Sequence, residues 1–423
     1  MKGSLKLLAP LIAVLAITAC NAGGSSNMPA GSGVSQSPAA SHKVVPQWLR
    51  MHQAKAACPQ VTGKPTCLAL QVLAKDGVSP LACSPSSSCG FTAQQLEQAY
   101  GLTKQLGNGA GTNVAVIEAG DLANATSDLA AYRSQYGLGT ANLTRYNENG
   151  QQSNYPPSCE DYGWCLETDL DIDMISAACP KCNIFLMEAS GGISDFEQAE
   201  KEAVTLGATV LSNSWICYGS FNCGDTNFPN FFNTPKIVYT ASSGDEAYNE
   251  IGGPSVLDSV IAVGGTQLEA SGSKFTETIW NDAGAGCANS TEVGSPGVTK
   301  PSWQHDPSCT SRTDSDISSE SGCSPGVAVY VGIYGGWTGV CGTSVASPFT
   351  AAIIALRGNE TKLNAGESFW KLKKKALKKD LHKITSGQDG SCGGSYLCQA
   401  GTNQFGQYSG PGGWGTPKSD KAY

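Results

Sequence analysis

A serine can act as a nucleophile when its hydroxyl is exposed and a base stands beside it. Residues 342–348 read Gly-Thr-Ser-Val-Ala-Ser-Pro, and apolar residues continue to Leu356. A glycine turn leading into an apolar helix leaves the Ser344 hydroxyl at the helix start. Free backbone N–H groups and the helix dipole there favour a developing negative charge. The same pattern also describes a helix cap with a purely structural hydroxyl, so the base decides the matter. The chain has four histidines, His42, His52, His305 and His382. The first two precede the main domain, His305 lies in a loop bounded by Pro and Cys, and His382 follows a lysine-rich stretch. All four read as solvated or loop residues. Carboxyls remain. In Gly-Trp-Cys-Leu-Glu-Thr-Asp-Leu-Asp-Ile-Asp, residues 163–173, Glu167 and Asp171 are four apart and share one face of a helix. Asp169 and Asp173 share a different face and read as solvated or structural acids. Taken alone, four acids here would simply complement a helix N-terminus.

These residues need a frame. Val114–Ile117 is a continuous apolar run, as in a buried parallel strand. A helix is predicted around Ser127–Tyr136. A second helix over Leu166–Ala178 is followed by an apolar run over Asn183–Met187. Phe196–Leu206 reads as helix and Ala208–Leu211 as strand. Lys236–Tyr239 and Val260–Val263 repeat the strand pattern, and Ser344–Leu356 is an apolar helix. Strands alternating with helices predict an α/β fold with a mainly parallel sheet. Phe369–Lys383 carries seven lysines, with Trp370, Leu377 and Leu381 roughly on one face. It reads as a solvated surface helix, with contact to anionic lipid as the sharper alternative.

Together the motifs resemble a known family. Gly342–Pro348 is similar to the nucleophile motif of the subtilisin-like superfamily, and no histidine lies in anything like the His-Gly-Thr helix of subtilisins. Glu-x-x-x-Asp at that place resembles the sedolisins, the serine-carboxyl peptidases. The resemblance implies that Glu167 contacts the nucleophile Ser344 and that Asp171 supports Glu167. It implies an oxyanion hole at Asp245, in Ile-Val-Tyr-Thr-Ala-Ser-Ser-Gly-Asp-Glu at 237–246. Asp245 must then be protonated, and a carboxylate base also favours acid, so an acidic optimum is expected. Val210-Leu211-Ser212-Asn213-Ser214-Trp215 resembles the strand that pairs with extended substrate, which puts Ser212, Asn213 and Ser214 in substrate binding. Ala262–Thr266, Glu277–Trp280 and Lys300–Gln304 recur in the same family. The implied fold is subtilisin-like: three layers, a mainly parallel central sheet flanked by helices. Glu118 occupies a spot like the subtilisin Asp; we read it as a strand-end acid in preference to a buried partner.

The chain also departs from the family. Sedolisins hold calcium through an Asp in an Asp-Val-Thr-x-Gly-like segment and a second Asp in a glycine-rich loop. Here the first reads Lys383-Ile384-Thr385-Ser386-Gly387, and the loop at 408–415 has no Asp. Calcium needs several oxygen ligands. No metal or cofactor is therefore expected, with the Lys383 ammonium in the cation's place. The long prodomain of the family is reduced to about fifty residues.

Lys2, Lys6 and the apolar run Leu7–Ala19, ending in Ile-Thr-Ala-Cys, resemble a lipoprotein signal. Residues 1–19 are expected to be removed and Cys20 lipidated, followed by a flexible Gly/Ser/Ala/Pro tether at 20–43. Residues 44–95 form a short N-terminal extension and 96–418 the peptidase domain. Apart from Cys20, sixteen cysteines fall into eight sequence-adjacent pairs, which suits a disulfide framework in an oxidising compartment. Cys179-Pro180-Lys181-Cys182 also fits a redox or zinc half-site, without a matching second pair. A net charge of −8 argues against nucleic acid as a partner. The expected protein is a monomeric, lipid-anchored or secreted bacterial endopeptidase acting on proteins or peptides. The alternative is a weak or inactive surface-anchored binding protein that keeps the fold.

Overall fold

Strand Asn113–Ala119 shows how the layers arise. Val114 and Val116 are buried in one apolar cluster, with Leu166, Ile172, Phe349 and Ile353. Ala115, Ile117 and Ala119 are buried in another, with Phe196, Ala199 and Ala203. Successive side chains of a strand point to opposite faces, so a continuous apolar run must be covered on both. One cover contains the helices carrying Glu167 and Ser344, and the other contains the helix over Ile193–Thr205. The result is helix, sheet, helix.

This computed structural model describes residues 54–423 except 82, 85–88 and 295. The expected signal segment, the lipid site Cys20, the tether, His42 and His52 lie outside the described residues. Strands, in chain order, are β1 (Ala54–Ala56), β2 (Pro65–Cys67), β3 (Leu70–Val72), β4 (Asn113–Ala119), β5 (Asn142–Asn147), β6 (Asn183–Ala189), β7 (Val210–Asn213), β8 (Trp215–Cys217), β9 (Val238–Ser242), β10 (Val260–Ser271), β11 (Lys274–Ile279), β12 (Gly286–Cys287), β13 (Thr313–Asp314), β14 (Ile317–Glu320), β15 (Val327–Val331) and β16 (Gly336–Cys341). The helices used below are α1 (Ala125–Tyr136), α2 (Cys165–Ala178), α3 (Ile193–Thr205) and α4 (Thr343–Arg357).

The central sheet runs β11-β10-β9-β7-β4-β6-β5, and β14 also pairs with β10. Every pair is parallel except β10 with β11. A smaller antiparallel sheet, β1-β3-β16-β15, brings the N-terminal residues beside the strand that leads into Ser344. All eight sequence-adjacent cysteine pairs are disulfides. Cys179 and Cys182 are bonded to each other. The lysine-rich stretch is not one helix. It divides into Glu367–Trp370, Lys374–Asp380 and a two-residue strand at Leu381–His382. Trp370, Leu377 and Leu381 are buried and the lysines face outward. Among the described residues no helix is long and apolar enough to cross a membrane.

Candidate active site

Helix α4 begins at Gly342, whose φ of 112° excludes ordinary side chains. That turn leaves Ser344 in the first helical turn, at the end of β16. Pro348, one turn on, has no N–H to give the Ser344 carbonyl. The Ser214 hydroxyl approaches that carbonyl instead, at 3.5 Å. Ser347 sits against Ser212 and Thr240, with Oγ–Oγ distances of 3.0 Å to each. Small hydroxyls therefore seat α4 closely on β7 and β9.

The Ser344 hydroxyl donates to Glu167 Oε2 at 2.9 Å and lies 3.3 Å from the Ser214 carbonyl. Glu167 stands in the first turn of α2, and Asp171 follows one turn later on the same face. Asp171 receives the Ser214 hydroxyl at 2.9 and 3.0 Å from its two oxygens. Glu118, on β4, lies within hydrogen-bonding reach of Asp171 and is fully buried. It is therefore a buried partner of the carboxyl pair and not a strand-end acid. Two carboxyls can bond only if one keeps a proton. Burial, then the neighbouring charges of Asp171 and Glu167, pushes Glu118 well above the usual carboxyl range. Burial pushes Asp171 up to about 8, against bonds from Ser214, Glu118 and Glu167. Burial and the Asp171 charge raise Glu167 well above its ordinary value, opposed by the bonds from Ser344 and Ala69.

Asp245 lies on the other side of Gly342. The Thr343 N–H and hydroxyl donate to its Oδ1 at 2.8 and 2.7 Å. Burial, then the charge of Glu250, holds Asp245 well above the usual range. A carboxyl in that state keeps its proton and can donate. Thr343 and Glu250 were not singled out by sequence reasoning. Thr343 stands inside the Gly-Thr-Ser motif, where its spacing carried the signal; Glu250 carried none.

Of the expected substrate-strand residues, Ser214 faces the site. Ser212 and Asn213 are turned to the interior: the Ser212 hydroxyl is on Ser347, and Asn213 is fully buried near Glu200. Asp169 and Asp173 are not solvated. Each is about 1% exposed, and Asp173 accepts the Tyr330 N–H at 3.1 Å. His305 packs its ring on Trp370, and His382 sits in the outer two-stranded pair. At the position where the sequence resemblance expects a carboxylate ligand, the Lys383 ammonium donates to Asn403 at 3.2 Å.

An α/β scaffold with a serine at a helix start, set among buried carboxyls, defines a subtilisin-like architecture with a serine-carboxyl site. The solved structure of Pseudomonas sedolisin, a serine-carboxyl proteinase complexed with pseudo-iodotyrostatin, superposes with a TM-score of 0.64 at 25% identity, covering 79% of this chain and 97% of that one. Sedolisin from Pseudomonas sp. (strain 101) is 26% identical over 342 residues, 73% of this chain and 56% of the relative. The chain thus spans little more than half the length of the curated relative it matches. No family model matches the chain. The chain is a homologue of sedolisin with a subtilisin-like fold.

Proposed function

We propose that the protein is a serine-type endopeptidase that hydrolyses peptide bonds in protein or peptide substrates under acidic conditions. The observation that carries this reading is the Ser344 hydroxyl held on Glu167, with Asp245 across Gly342. Glu167 takes the Ser344 proton as the hydroxyl attacks the substrate carbonyl. Asp171 and Ser214 hold Glu167 in place, and Glu118 shares their proton inventory. Asp245, protonated, donates to the oxyanion. The edge formed by Ser214 and β8 is the rail for extended substrate. Glu167 must be charged and Asp245 neutral at once, so activity falls as rising pH removes the Asp245 proton. No metal is given a part, because the segment expected to hold the family's cation carries Lys383 in place of an Asp. The protein works as a monomer outside the cytoplasm, held to a membrane through Cys20. The eight disulfides support an oxidising compartment.

The test is hydrolysis of denatured protein at about pH 3–5, the native chain against Ser344→Ala. A loss of at least about 1,000-fold in the variant is expected. Equal hydrolysis by both would remove Ser344 as nucleophile. No hydrolysis by either would favour the inactive binding protein.

A further inference from the structure

The lysine-rich stretch has no part in the candidate site, and its charge differs in sign from that of the rest of the chain. Residues 371–383 hold seven lysines and one acid, Asp380, for a net +6 on a chain whose formal charge is −8. All other residues together therefore carry −14. The seven lysines are all exposed. Lys371 pairs with Glu367, and Lys379 pairs with Asp380 at 3.3 Å. Among the described residues the other five, Lys373, Lys374, Lys375, Lys378 and Lys383, form no ion pair.

The fold gathers these charges on one side. Leu377 is buried and fixes the inward face of the helix over Lys374–Asp380. At the helical spacing, Lys375, Lys378 and Lys379 fall within one arc of about 100° on the face away from Leu377, with Lys374 beside it. Trp370 and Leu381, which flank the helix, are also buried. No apolar side chain of residues 371–383 is exposed, so this face offers ammonium groups and nothing to insert among acyl chains. Lys418 ties the segment to the end of the chain. Its Nζ donates to the Lys378 carbonyl at 2.7 Å, and its N–H donates to the Asp380 carbonyl at 2.9 Å. Two residues on, Asp420 faces Arg357, the last residue of α4, at 3.7 Å. The lysine face thus adjoins the end of α4 remote from Ser344, and the two ends of that helix are about 20 Å apart.

We propose that this lysine face docks the protein on an anionic phospholipid surface, through ammonium–phosphate contacts at the headgroups, with the Ser344 end of α4 held away from the bilayer. Whole-molecule charge opposes such contact, because a chain of −8 meets a negative surface. Range decides the outcome. At physiological salt, charges more than about 8 Å apart are largely screened, so lysines touching headgroups outweigh acids elsewhere on the body. Each lysine near such a surface strengthens binding by about fivefold. Four acting together give about 600-fold. A plane of phosphates also suits a face whose charges spread over one side of a short helix. The lipid expected at Cys20 would keep a bilayer near, so that a surface contact of this strength suffices. Nothing in this contact requires Ser344 to be active.

The experiment uses the chain from residue 20 with Cys20→Ser, so that no attached lipid contributes. Co-sedimentation is measured near pH 6 with vesicles of phosphatidylcholine alone or with about 30% phosphatidylglycerol. Binding to the anionic vesicles should exceed binding to the neutral ones by at least about 50-fold, and should fall by at least about tenfold between ~50 and ~200 mM salt. The fourfold variant Lys374→Gln, Lys375→Gln, Lys378→Gln, Lys379→Gln should bind anionic vesicles at least about 50-fold more weakly. A control with the same change of total charge, Lys55→Gln, Lys64→Gln, Lys104→Gln, Lys201→Gln, should stay within about threefold of the parent. All eight positions are exposed, and thermal melting checks that both variants keep the parent's fold. Equal losses in the two variants would assign binding to net charge and overturn the proposal. Unchanged binding in the first variant overturns it, as does binding to neutral vesicles as tight as to anionic ones. Long-chain polyphosphate supplies the last arm. If it holds the chain as tightly as the vesicles do at the same accessible phosphate concentration, the face serves a soluble polyanion and the lipid assignment fails.

Discussion

Glu200 offers a direct test of how this protein depends on acid. It lies on α3, is fully buried, and burial lifts its carboxyl to about 8, partly offset by the nearby Asn213 amide. In the unfolded chain it titrates near its ordinary 4.5. The folded state therefore holds a proton that the unfolded state releases as the pH passes through the ordinary value. The stability this proton supplies is fully present below about 4.5 and is lost as pH rises through about 8. At about 1.4 kcal/mol per pH unit, the ceiling is ~5 kcal/mol. Local relaxation and the effective polarity of buried sites reduce this to ~2–3 kcal/mol. Glu200→Gln keeps the shape and the neutral form and removes the titration. In a Ser344→Ala background, which prevents self-digestion, urea unfolding with disulfides intact is measured at about pH 4, 6 and 8. The variant should match its parent within ~1 kcal/mol at the acid end and exceed it by ~2 kcal/mol or more at the alkaline end. A difference that stays constant across the three pH values would refute the reasoning, because an unperturbed carboxyl gives parallel curves.

Two further substitutions address the chemistry. Asp245→Asn keeps an oxygen for the two Thr343 donors and supplies an N–H that does not titrate. It should lower kcat by about 10–100-fold at acid pH and shift the alkaline limb of kcat/KM upward; an unmoved limb would exclude Asp245 as its source. Gly342→Ala puts a methyl against Asp245 and the Leu68 carbonyl at a φ of 112°, so peptidase activity should fall by at least about 100-fold, with ~1–3 kcal/mol lost in stability. Wild-type rates in that variant would remove the close approach at Gly342 from the mechanism.

Much of the site was legible because its spacing is local. Glu167 and Asp171 are one helical turn apart, and Ser344 follows a glycine that only a turn explains. The parallel strands were legible as continuous apolar runs, although Lys236 and Ile237 precede the observed strand, which begins at Val238. What stayed hidden depends on distant partners. Asp173 looked like a helix-start acid, but its backbone donor, Tyr330, comes from β15 across the fold. Glu118 gained its meaning only when β4 was laid beside α2. Ser212 and Asn213 lie on β7, whose pairing inside the sheet turns them to the interior, whereas Ser214 follows the end of that strand and faces the site. Residues 65–70 had no side-chain signature at all. Their contacts with Glu167 and β8 are made through backbone groups, which carry no sequence signature.

The backbone of residues 68 and 69 also bears on the protonation of these buried carboxyls. Burial raises Glu167 and Asp245 alike, so burial alone cannot make one a base and the other an acid. The peptide lying between them breaks the tie. It turns two N–H groups toward Glu167, where the Ser344 hydroxyl adds a third donor on the same oxygen, and donors stabilise the charged form. The Leu68 carbonyl and Asp245 Oδ2 both lie beside Gly342, where a methyl group would meet each of them. N–H and C=O point in opposite directions along any extended chain. The N–H groups of residues 68 and 69 therefore favour the charged form of Glu167.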